Sequence, residues 1–363
     1  MVVIFLGKED PGRLLIETEK KTAMERKELK EKYGLVGGLS HLKEIVCRTP
    51  EELLEKISPI YKELWGERNP RNFWIFRGMG KDYPLLPRAL REGAQEELGY
   101  SFKRTQEITN NWEQIKAELL VIHEFYWELD RYGLYIPGEP FLLRTPKNAD
   151  KIKEEIMTWG WPIDKFLPLL ALAQHYGLPT RLLDWTEDPL VAVYFAAKSV
   201  IEQKENIDAK IVVWALNINW VLNYAWPAQK ERKLGVYVIS APRASNPRLL
   251  VQKGIFTTEL ILPGELCNEV NRDPLDKIIE GKFKELKKRN SNNNNPVLYK
   301  FIINREAPES AKKLLRLLNK YGINAGLIYP GYEGAAQTIK ERRLWDRQEE
   351  ATYWLTMDKT WDL

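Results

Sequence analysis

The chain has 363 residues, 44% of them hydrophobic, and can bury the core of one large domain or two ordinary ones. Its 55 basic and 51 acidic residues nearly balance, so the net charge of +4 does not indicate nucleic-acid binding, which depends on concentrated basic patches. Two cysteines exclude a disulfide framework, and no apolar run approaches the roughly 20 residues that span a bilayer. We therefore expect a cytoplasmic protein that is not bound to a membrane.

The first third of the chain predicts helices and one strand. Residues 49–66 have Thr49 as an N-cap before two acidic residues, and we expect a helical extension over residues 1–70. Residues 72–80, NFWIFRGMG, are a β-prone apolar run that ends in glycines, which predicts a strand. An apolar stripe at helical spacing predicts a long amphipathic helix over residues 105–133.

Two strongly apolar helices are predicted on either side of a short polar corner. Gly177 ends the first helix, and Asp188 as N-cap with Pro189 at the first helical position begins the second. The six residues between them, 180–185, are expected to form a tight turn that contains both charged and hydroxyl side chains.

The last part of the chain predicts a sheet. Strand candidates lie at 210–218, 234–241, 254–262 and 297–305. The polar run 290–296 is a predicted connector, and a last helix leads into a further strand, a turn and a helix. Helices first, then one strand, more helices and several strands predict an α+β fold. We place the main domain at residues 71–345 and a tail at 346–363.

Several common catalytic motifs are absent from the sequence. There is no glycine-rich phosphate loop and no Gly-x-Ser-x-Gly elbow. Three histidines and two cysteines, widely scattered, do not predict a metal site. The residues that can support chemistry fall into three local clusters instead.

The first cluster is Phe76-Arg77-Gly78, at the end of the predicted first strand. The guanidinium of Arg77 offers a planar fork of donors that suits an anion, and Gly78 allows a ligand to approach the backbone. The alternative is an arginine that pairs with a buried carboxylate and has only a structural role.

The second cluster is the polar corner itself. His175 lies at a helix C-terminus, where the dipole favours its protonated form, and it can act as an acid, contact a ligand or cap carbonyls. Asp184 can pair with Arg181 or with Arg77, and Thr186 competes as an N-cap.

The aromatic residues of this corner, Tyr176 and Trp185, can stack on a planar ligand or belong to the core. In the third cluster, Arg248, Gln252 and Gly254 alternate with apolar residues at strand spacing, so some of them would share a face. The alternative for this cluster is an ordinary amphipathic strand with a glycine bulge.

Taken in this order, the clusters resemble the FRG domain family, which is named for its Phe-Arg-Gly motif. Residues 76–78 resemble its opening, and 174–186, QHYGLPTRLLDWT, resemble its most diagnostic segment. Arg248, Gln252, Gly254 and Phe256 match its later Arg-Gln-Gly-Phe pattern, and residues 326–340 resemble its closing part. The resemblance covers about residues 70 to 340.

The same clusters also resemble the arginine-class ADP-ribosyltransferases more weakly. This resemblance implies a mixed β-sheet core flanked by helices, with a strand over Asp184-Trp185-Thr186, and NAD as the substrate without a metal. The residues it implies for cofactor binding are Arg77, Gly78, Tyr176, Arg181, Thr186 and Tyr194. Those it implies for catalysis are His175, Asp184 and Gln252.

The chain departs from that second pattern at the position expected to have the catalytic glutamate, which is Gly254. Asp184, Glu187 or Glu259 can replace it only if the fold brings one of them to the site. One hypothesis is an ADP-ribosyltransferase-like enzyme or NAD hydrolase, acting in phage defence or as a toxin, with a nucleotide or protein as acceptor. The alternatives are a non-catalytic module that binds a nucleotide, a nucleic acid or a protein, and a purely structural role for the motifs.

Overall fold

The computed structural model describes residues 40–66, 73–99, 108–138, 140–203, 208–222, 235–240, 247–288 and 296–345. The elements below belong to one compact unit formed by residues 41–293 and 297–363. The expectations for residues 1–39 and for the tail at 346–363 lie outside the described residues, as does nearly all of the connector at 290–296. The proposed domain boundaries stay predictions.

The described part of the chain contains a seven-stranded mixed sheet, with the strand order β1-β7-β4-β2-β3-β6-β5. The strands are β1 (Leu42–Val46), β2 (Trp74–Met79), β3 (Leu183–Thr186), β4 (Ile211–Asn217), β5 (Val236–Ile239), β6 (Gly254–Glu259) and β7 (Leu298–Ile303). β1 pairs in parallel with β7, and all the other pairs are antiparallel. The sheet and its helices confirm the α+β class.

The α-helices of the described residues are α1 (Pro50–Ile57), α2 (Lys62–Trp65), α3 (Ala94–Glu97), α4 (Asn111–Arg131), α5 (Ala149–Trp159), α6 (Leu167–His175), α7 (Pro189–Glu202), α8 (Ile218–Trp220), α9 (Pro247–Val251), α10 (Leu275–Lys288), α11 (Ala307–Lys320), α12 (Ala325–Ile328) and α13 (Tyr332–Trp345). Short 3-10 turns lie at Arg88–Leu90, Phe141–Leu143, Pro146–Asn148, Asp164–Phe166 and Pro263–Glu265. None of the described helices is long and apolar enough to span a membrane.

The two faces of the sheet are buried against different helices. Phe76 of β2 packs into a cluster formed with α7 and α11, whereas its neighbour Ile75 packs into a second cluster formed with α10. β4 divides in the same way, with Val213 on the first side and Trp214 on the second. Successive strand side chains point to opposite faces, so the continuous apolar runs of β2 and β4 are those of strands buried on both sides.

The two helices around the polar corner form as the sequence predicts. α6 has Pro168 in its first turn and ends before Gly177, whose φ of +83° suits a residue without a side chain. α7 begins at Asp188, whose carboxylate accepts a hydrogen bond from the Leu190 amide at 3.0 Å. These signals fix the places at which the polar side chains of the corner emerge.

Three local expectations are wrong. Residues 42–46, within the segment expected to be helical, form the edge strand β1, because β7 supplies backbone partners for LKEIV. The corner at 180–185 is not a simple turn: residues 183–186 form β3 between β2 and β6, as the ADP-ribosyltransferase resemblance implied. In place of the strand expected after the last predicted helix, Ala325–Ile328 form a helical turn, capped by the Asn324 side chain, which accepts a hydrogen bond from the Leu327 amide.

Candidate functional site

A cleft of about 460 Å³ opens where β2, β3 and β6 meet α7. Residues at the end of α6, in and just after α9, and at Tyr329 complete its walls. The sequence-predicted residues that line it are Arg77, Gly78, His175, Asp184, Thr186 and Gln252. Residues separated by up to 175 positions in the chain are therefore neighbours in one concave site of the size of a ligand pocket.

Arg77 lines the cleft and is only partly exposed. Its Nη1 donates to the main-chain oxygen of Asp184 at 2.6 Å and is 3.6 Å from the Asp184 carboxylate. Its Nε is buried and has no hydrogen-bond partner among the described residues. Because an unpaired buried donor is costly, the guanidinium is set to gain free energy from an added acceptor.

Asp184 is held by a short chain of polar side chains. Its carboxylate accepts a hydrogen bond from Gln174 Nε2 at 2.8 Å, and Gln174 in turn accepts one from the Thr180 hydroxyl at 2.6 Å. The Asp184 side chain is nevertheless half exposed. Gln174 and Thr180 thus orient a carboxylate that a ligand can reach, which is how a preorganised polar site is built.

His175 is half-buried, and its Nε2 has no hydrogen-bond partner among the described residues. Burial, together with the nearby charge of Arg248, lowers the pKa of its imidazole below 6.5, although Asp184 raises it in part. This direction is opposite to the one expected from the helix dipole. At neutral pH the site therefore holds a neutral imidazole, which can accept a proton.

Thr186 and Gln252 tie β3 to the turn that precedes β6. The Thr186 hydroxyl donates to the main-chain oxygen of Gln252 at 2.6 Å, and Gln252 Nε2 donates to the Ile328 oxygen at 3.2 Å. The strand spacing expected for Arg248 and Gln252 is wrong, since Pro247–Val251 are helical and only the residues from Gly254 onward join the sheet. Both side chains reach the cleft from this helical turn.

Two glycines of the motifs have packing roles. A Cβ added at Gly78 would lie 1.7 Å from the main-chain oxygen of Ala192, so β2 approaches α7 closely only without a side chain there. At Gly254, a Cβ would lie 2.4 Å from a methyl group of Leu249. A residue with a side chain at position 254 would therefore require the Leu249 side chain to shift.

Three residues of α7 that line the cleft, Lys198, Ser199 and Glu202, were not predicted from the sequence. With Phe195 they recur at helical spacing and form a stripe along one side of an otherwise apolar helix. Lys198, Ser199 and Glu202 interrupt the apolar pattern of this helix with polar or charged side chains. This interruption could have indicated in the sequence that one side of the helix faces a cleft. Tyr329 gave no such signal, because only the packing of α12 brings it to the cleft.

Three residues implied for cofactor binding lie away from the cleft. Arg181 is buried and makes a bidentate pair with Glu118, at 2.7 and 2.8 Å. Tyr194 is fully buried, and its hydroxyl donates to Glu341 at 2.7 Å. Tyr176 is exposed and does not contribute to the cleft wall. Arg181 and Tyr194 are therefore not available to a ligand, because each is paired with a carboxylate inside the protein.

Of the three carboxylates considered as replacements for a glutamate at Gly254, only Asp184 lines the cleft. Glu259 lies elsewhere, beside Arg181, where Asn271 donates to it and burial raises its pKa. Glu187 is not part of the cleft wall. Among the described residues, no group of three or more His, Cys, Asp or Glu side chains is arranged to hold a metal ion.

Comparison with known proteins identifies one region of the chain. No curated protein and no solved structure shows a significant match, so the ADP-ribosyltransferase resemblance stays a prediction. Residues 72–205 match the family model of the FRG domain. This segment contains β2 and β3, the helices α6 and α7, and Arg77, His175 and Asp184 of the cleft. The chain therefore contains an FRG domain at residues 72–205.

Proposed function

We propose that the cleft binds a nucleotide, with NAD as the ligand, and that the protein is an ADP-ribosyltransferase-like enzyme or NAD hydrolase. One observation carries this proposal: Arg77, whose buried Nε has no acceptor among the described residues, lines the same cleft as Asp184 and a neutral His175. The Arg77 guanidinium suits a diphosphate, while Phe195 and Phe256 supply aromatic surface for the rings.

In this proposal each polar group has a separate task. Arg77 binds the diphosphate through its guanidinium. The Asp184 carboxylate holds a ribose hydroxyl and stabilises the positive charge that develops at C1′ of the ribose. The bond between C1′ and the nicotinamide nitrogen breaks, and neutral nicotinamide leaves with the bonding electrons. An oxygen of water or of an acceptor then bonds to C1′, and its proton passes to His175.

A second candidate, a non-catalytic nucleotide-binding module, is favoured by one feature. Gly254 lies where the transferases that the chain resembles have a glutamate, and a Cβ added there would lie 2.4 Å from a methyl group of Leu249. If Asp184 does not take over that role, the cleft would bind NAD without breaking it. Binding and turnover must therefore be measured separately.

Turnover is tested by incubating the full chain with NAD and following nicotinamide release by chromatography. We expect wild-type protein to release nicotinamide, and Arg77→Ala and Asp184→Asn to lower the rate by about a hundredfold or more. Arg131→Ala and Asp208→Asn are the matched controls, because both residues are exposed on the surface and neither lines the cleft. Unchanged turnover in Arg77→Ala would contradict the assignment, and saturable binding without any release would favour the non-catalytic module.

The proposed role in phage defence or as a toxin can be tested through the consumption of NAD in cells. An enzyme that depletes NAD would slow the growth of the cell that produces it. Expression of wild-type protein in a bacterial host should lower the cellular NAD level and the growth rate, and Asp184→Asn should restore both. Equal growth with the two proteins at equal expression would contradict this role.

A further inference from the structure

Tyr329 lies beside two cations that the proposed chemistry does not use. Lys198 Nζ is 4.3 Å from the centre of the Tyr329 ring, and the Arg248 guanidinium carbon is 5.7 Å from it. The negative face of an aromatic ring attracts such cations and restricts where they lie. Lys198 comes from α7 and Arg248 from α9, so the ring connects two separate elements at the cleft wall.

Each of the two cations has only an exposed carboxylate as its ion-pair partner among the described residues. Lys198 is 3.8 Å from Glu202, and Arg248 is 2.8 Å from Glu333, whose side chains are 62% and 76% exposed. Exposed ion pairs contribute little to stability, so an anionic ligand can displace these carboxylates at small cost. The Lys198 side chain is itself mostly buried, and much of its desolvation has therefore occurred before a ligand arrives.

The segment that supplies Tyr329 is fixed in place before any ligand binds. The Gln252 side chain donates to the Ile328 oxygen, and the Thr338 hydroxyl accepts from the Gly326 amide at 2.7 Å. Glu341 accepts from the Ala325 amide at 3.3 Å. A subsite held this way loses little conformational entropy on binding, which favours affinity.

The two cations are distinct from the Arg77 site. Arg77 lies on β2 and pairs with Asp184, whereas Lys198 and Arg248 surround Tyr329. Both Arg248 and Asp184 act on the pKa of His175, in opposite directions, which indicates that the imidazole lies close to each of them. The cleft thus has two positions for anions, with His175 near both.

We propose that Lys198 and Arg248, positioned by Tyr329, form a second anion subsite that takes a phosphate monoester of the bound nucleotide. A monoester has roughly two negative charges at pH 7, which matches a pair of cations. The substrate class is then a dinucleotide with an additional phosphate on a ribose. This inference rests on the proposed function, because Arg77 is assigned to the diphosphate of the same ligand.

The test compares the binding of NADP and NAD to the full chain by isothermal titration calorimetry. We expect wild-type protein to bind NADP about tenfold more tightly than NAD, since the additional phosphate gains charge-assisted hydrogen bonds. Lys198→Gln and Arg248→Gln should each remove most of this preference while changing NAD affinity less than about threefold. Lys277→Gln is the matched control, since Lys277 pairs with a glutamate on a helix outside the cleft.

Glu202→Gln and Glu333→Gln test the same subsite by removing the carboxylates that pair with its two cations. Removing a competing carboxylate should raise NADP affinity more than NAD affinity, and neither variant removes a buried contact. Equal affinity of wild-type protein for both ligands, or equal effects of the variants on both, would overturn the second subsite and leave the proposed function standing. If neither ligand binds, the proposed function itself fails, and the subsite fails with it.

Discussion

Two arginine–carboxylate pairs, Arg181 with Glu118 and Arg77 with Asp184, show what separates structure from function in this fold. In the first pair the carboxylate is 1% exposed, and in the second it is 49% exposed. Glu118 also accepts hydrogen bonds from Trp161 at 2.7 Å and from Gln114 at 2.9 Å, so protein groups satisfy it completely. Asp184 has one side-chain donor and a loose contact to Arg77 at 3.6 Å, which leaves it available to a ligand.

The comparison shows that residue type alone does not identify a binding site. Arg181 and Asp184 are three positions apart in one motif, yet Arg181 points into the core and Asp184 lines the cleft. A buried pair with every hydrogen bond satisfied has no capacity left for a ligand. A pair at a cleft wall that lacks some of its hydrogen bonds can still bind a ligand.

The largest effect is expected from breaking the buried pair. Glu118→Ala leaves the Arg181 guanidinium and the Trp161 indole N–H without an acceptor in the interior, which should destabilise the fold by about 3–5 kcal/mol. Chemical denaturation monitored by tryptophan fluorescence measures this loss. The double variant Glu118→Leu with Arg181→Met should recover most of the stability, because it removes both charges together. A loss below 1 kcal/mol for Glu118→Ala would show that the pair is not structural.

A smaller loss of stability is expected at Tyr194, which was implied to stack on a cofactor ring but is buried. Tyr194→Phe removes the hydrogen bond that its hydroxyl donates to Glu341 and should cost about 1–3 kcal/mol, since one oxygen of a buried carboxyl group loses its donor. NAD affinity should stay within twofold of the wild-type value. A large fall in NAD affinity with an unchanged free energy of unfolding would show that Tyr194 contacts the ligand.

The titration of His175 tests the electrostatics of the cleft directly. Burial lowers the pKa of His175, so below pH 6.5 the folded state binds fewer protons at this group than the unfolded chain, and the group destabilises the fold as pH falls there. NMR of the imidazole Cε1–H signal should show that Arg248→Gln raises this pKa and that Asp184→Asn lowers it. Shifts in the reverse directions would mean that these three side chains are not neighbours.

The smallest effect is expected at Tyr176, which is 63% exposed and does not line the cleft. Tyr176→Ala should change both the free energy of unfolding and NAD affinity by less than about 0.5 kcal/mol, as surface substitutions usually do. Calorimetry of NAD binding checks the second value. A tenfold weaker affinity would show that Tyr176 closes over the ligand when it binds.

The strongest local signals predicted much of the sheet and the helix ends. β2, β4, β6 and β7 follow from largely apolar, β-prone runs, because a strand buried on both faces leaves few polar positions in its sequence. Asp188 and Gly177 define helix ends through cap chemistry that depends only on nearby residues. β1 and β3 were not predicted from propensity, since five and four residues respectively become strands only when β7, or β2 and β6, supply hydrogen bonds.

Local motifs predicted part of the candidate site, as local signals predicted part of the fold. The motifs identified Arg77, His175, Asp184 and Gln252, which the fold brings to one cleft. They also identified Arg181 and Tyr194, whose side chains could equally contact a ligand but are buried in the interior. Burial depends on tertiary packing and is not visible in a local motif. Tyr329 lies in the segment 326–340 that resembles the closing part of the family, but it was not assigned to the site because only the packing of α12 brings it to the cleft.

Calorimetric titration of NAD into wild-type and Arg77→Ala protein tests the central claim most directly. We expect saturable binding to wild-type protein and an affinity at least about tenfold weaker for Arg77→Ala. Arg131→Ala should bind like the wild type, because Arg131 is an exposed residue at the end of α4. Equal NAD affinity in wild-type and Arg77→Ala protein would contradict the assignment of the cleft as a nucleotide site.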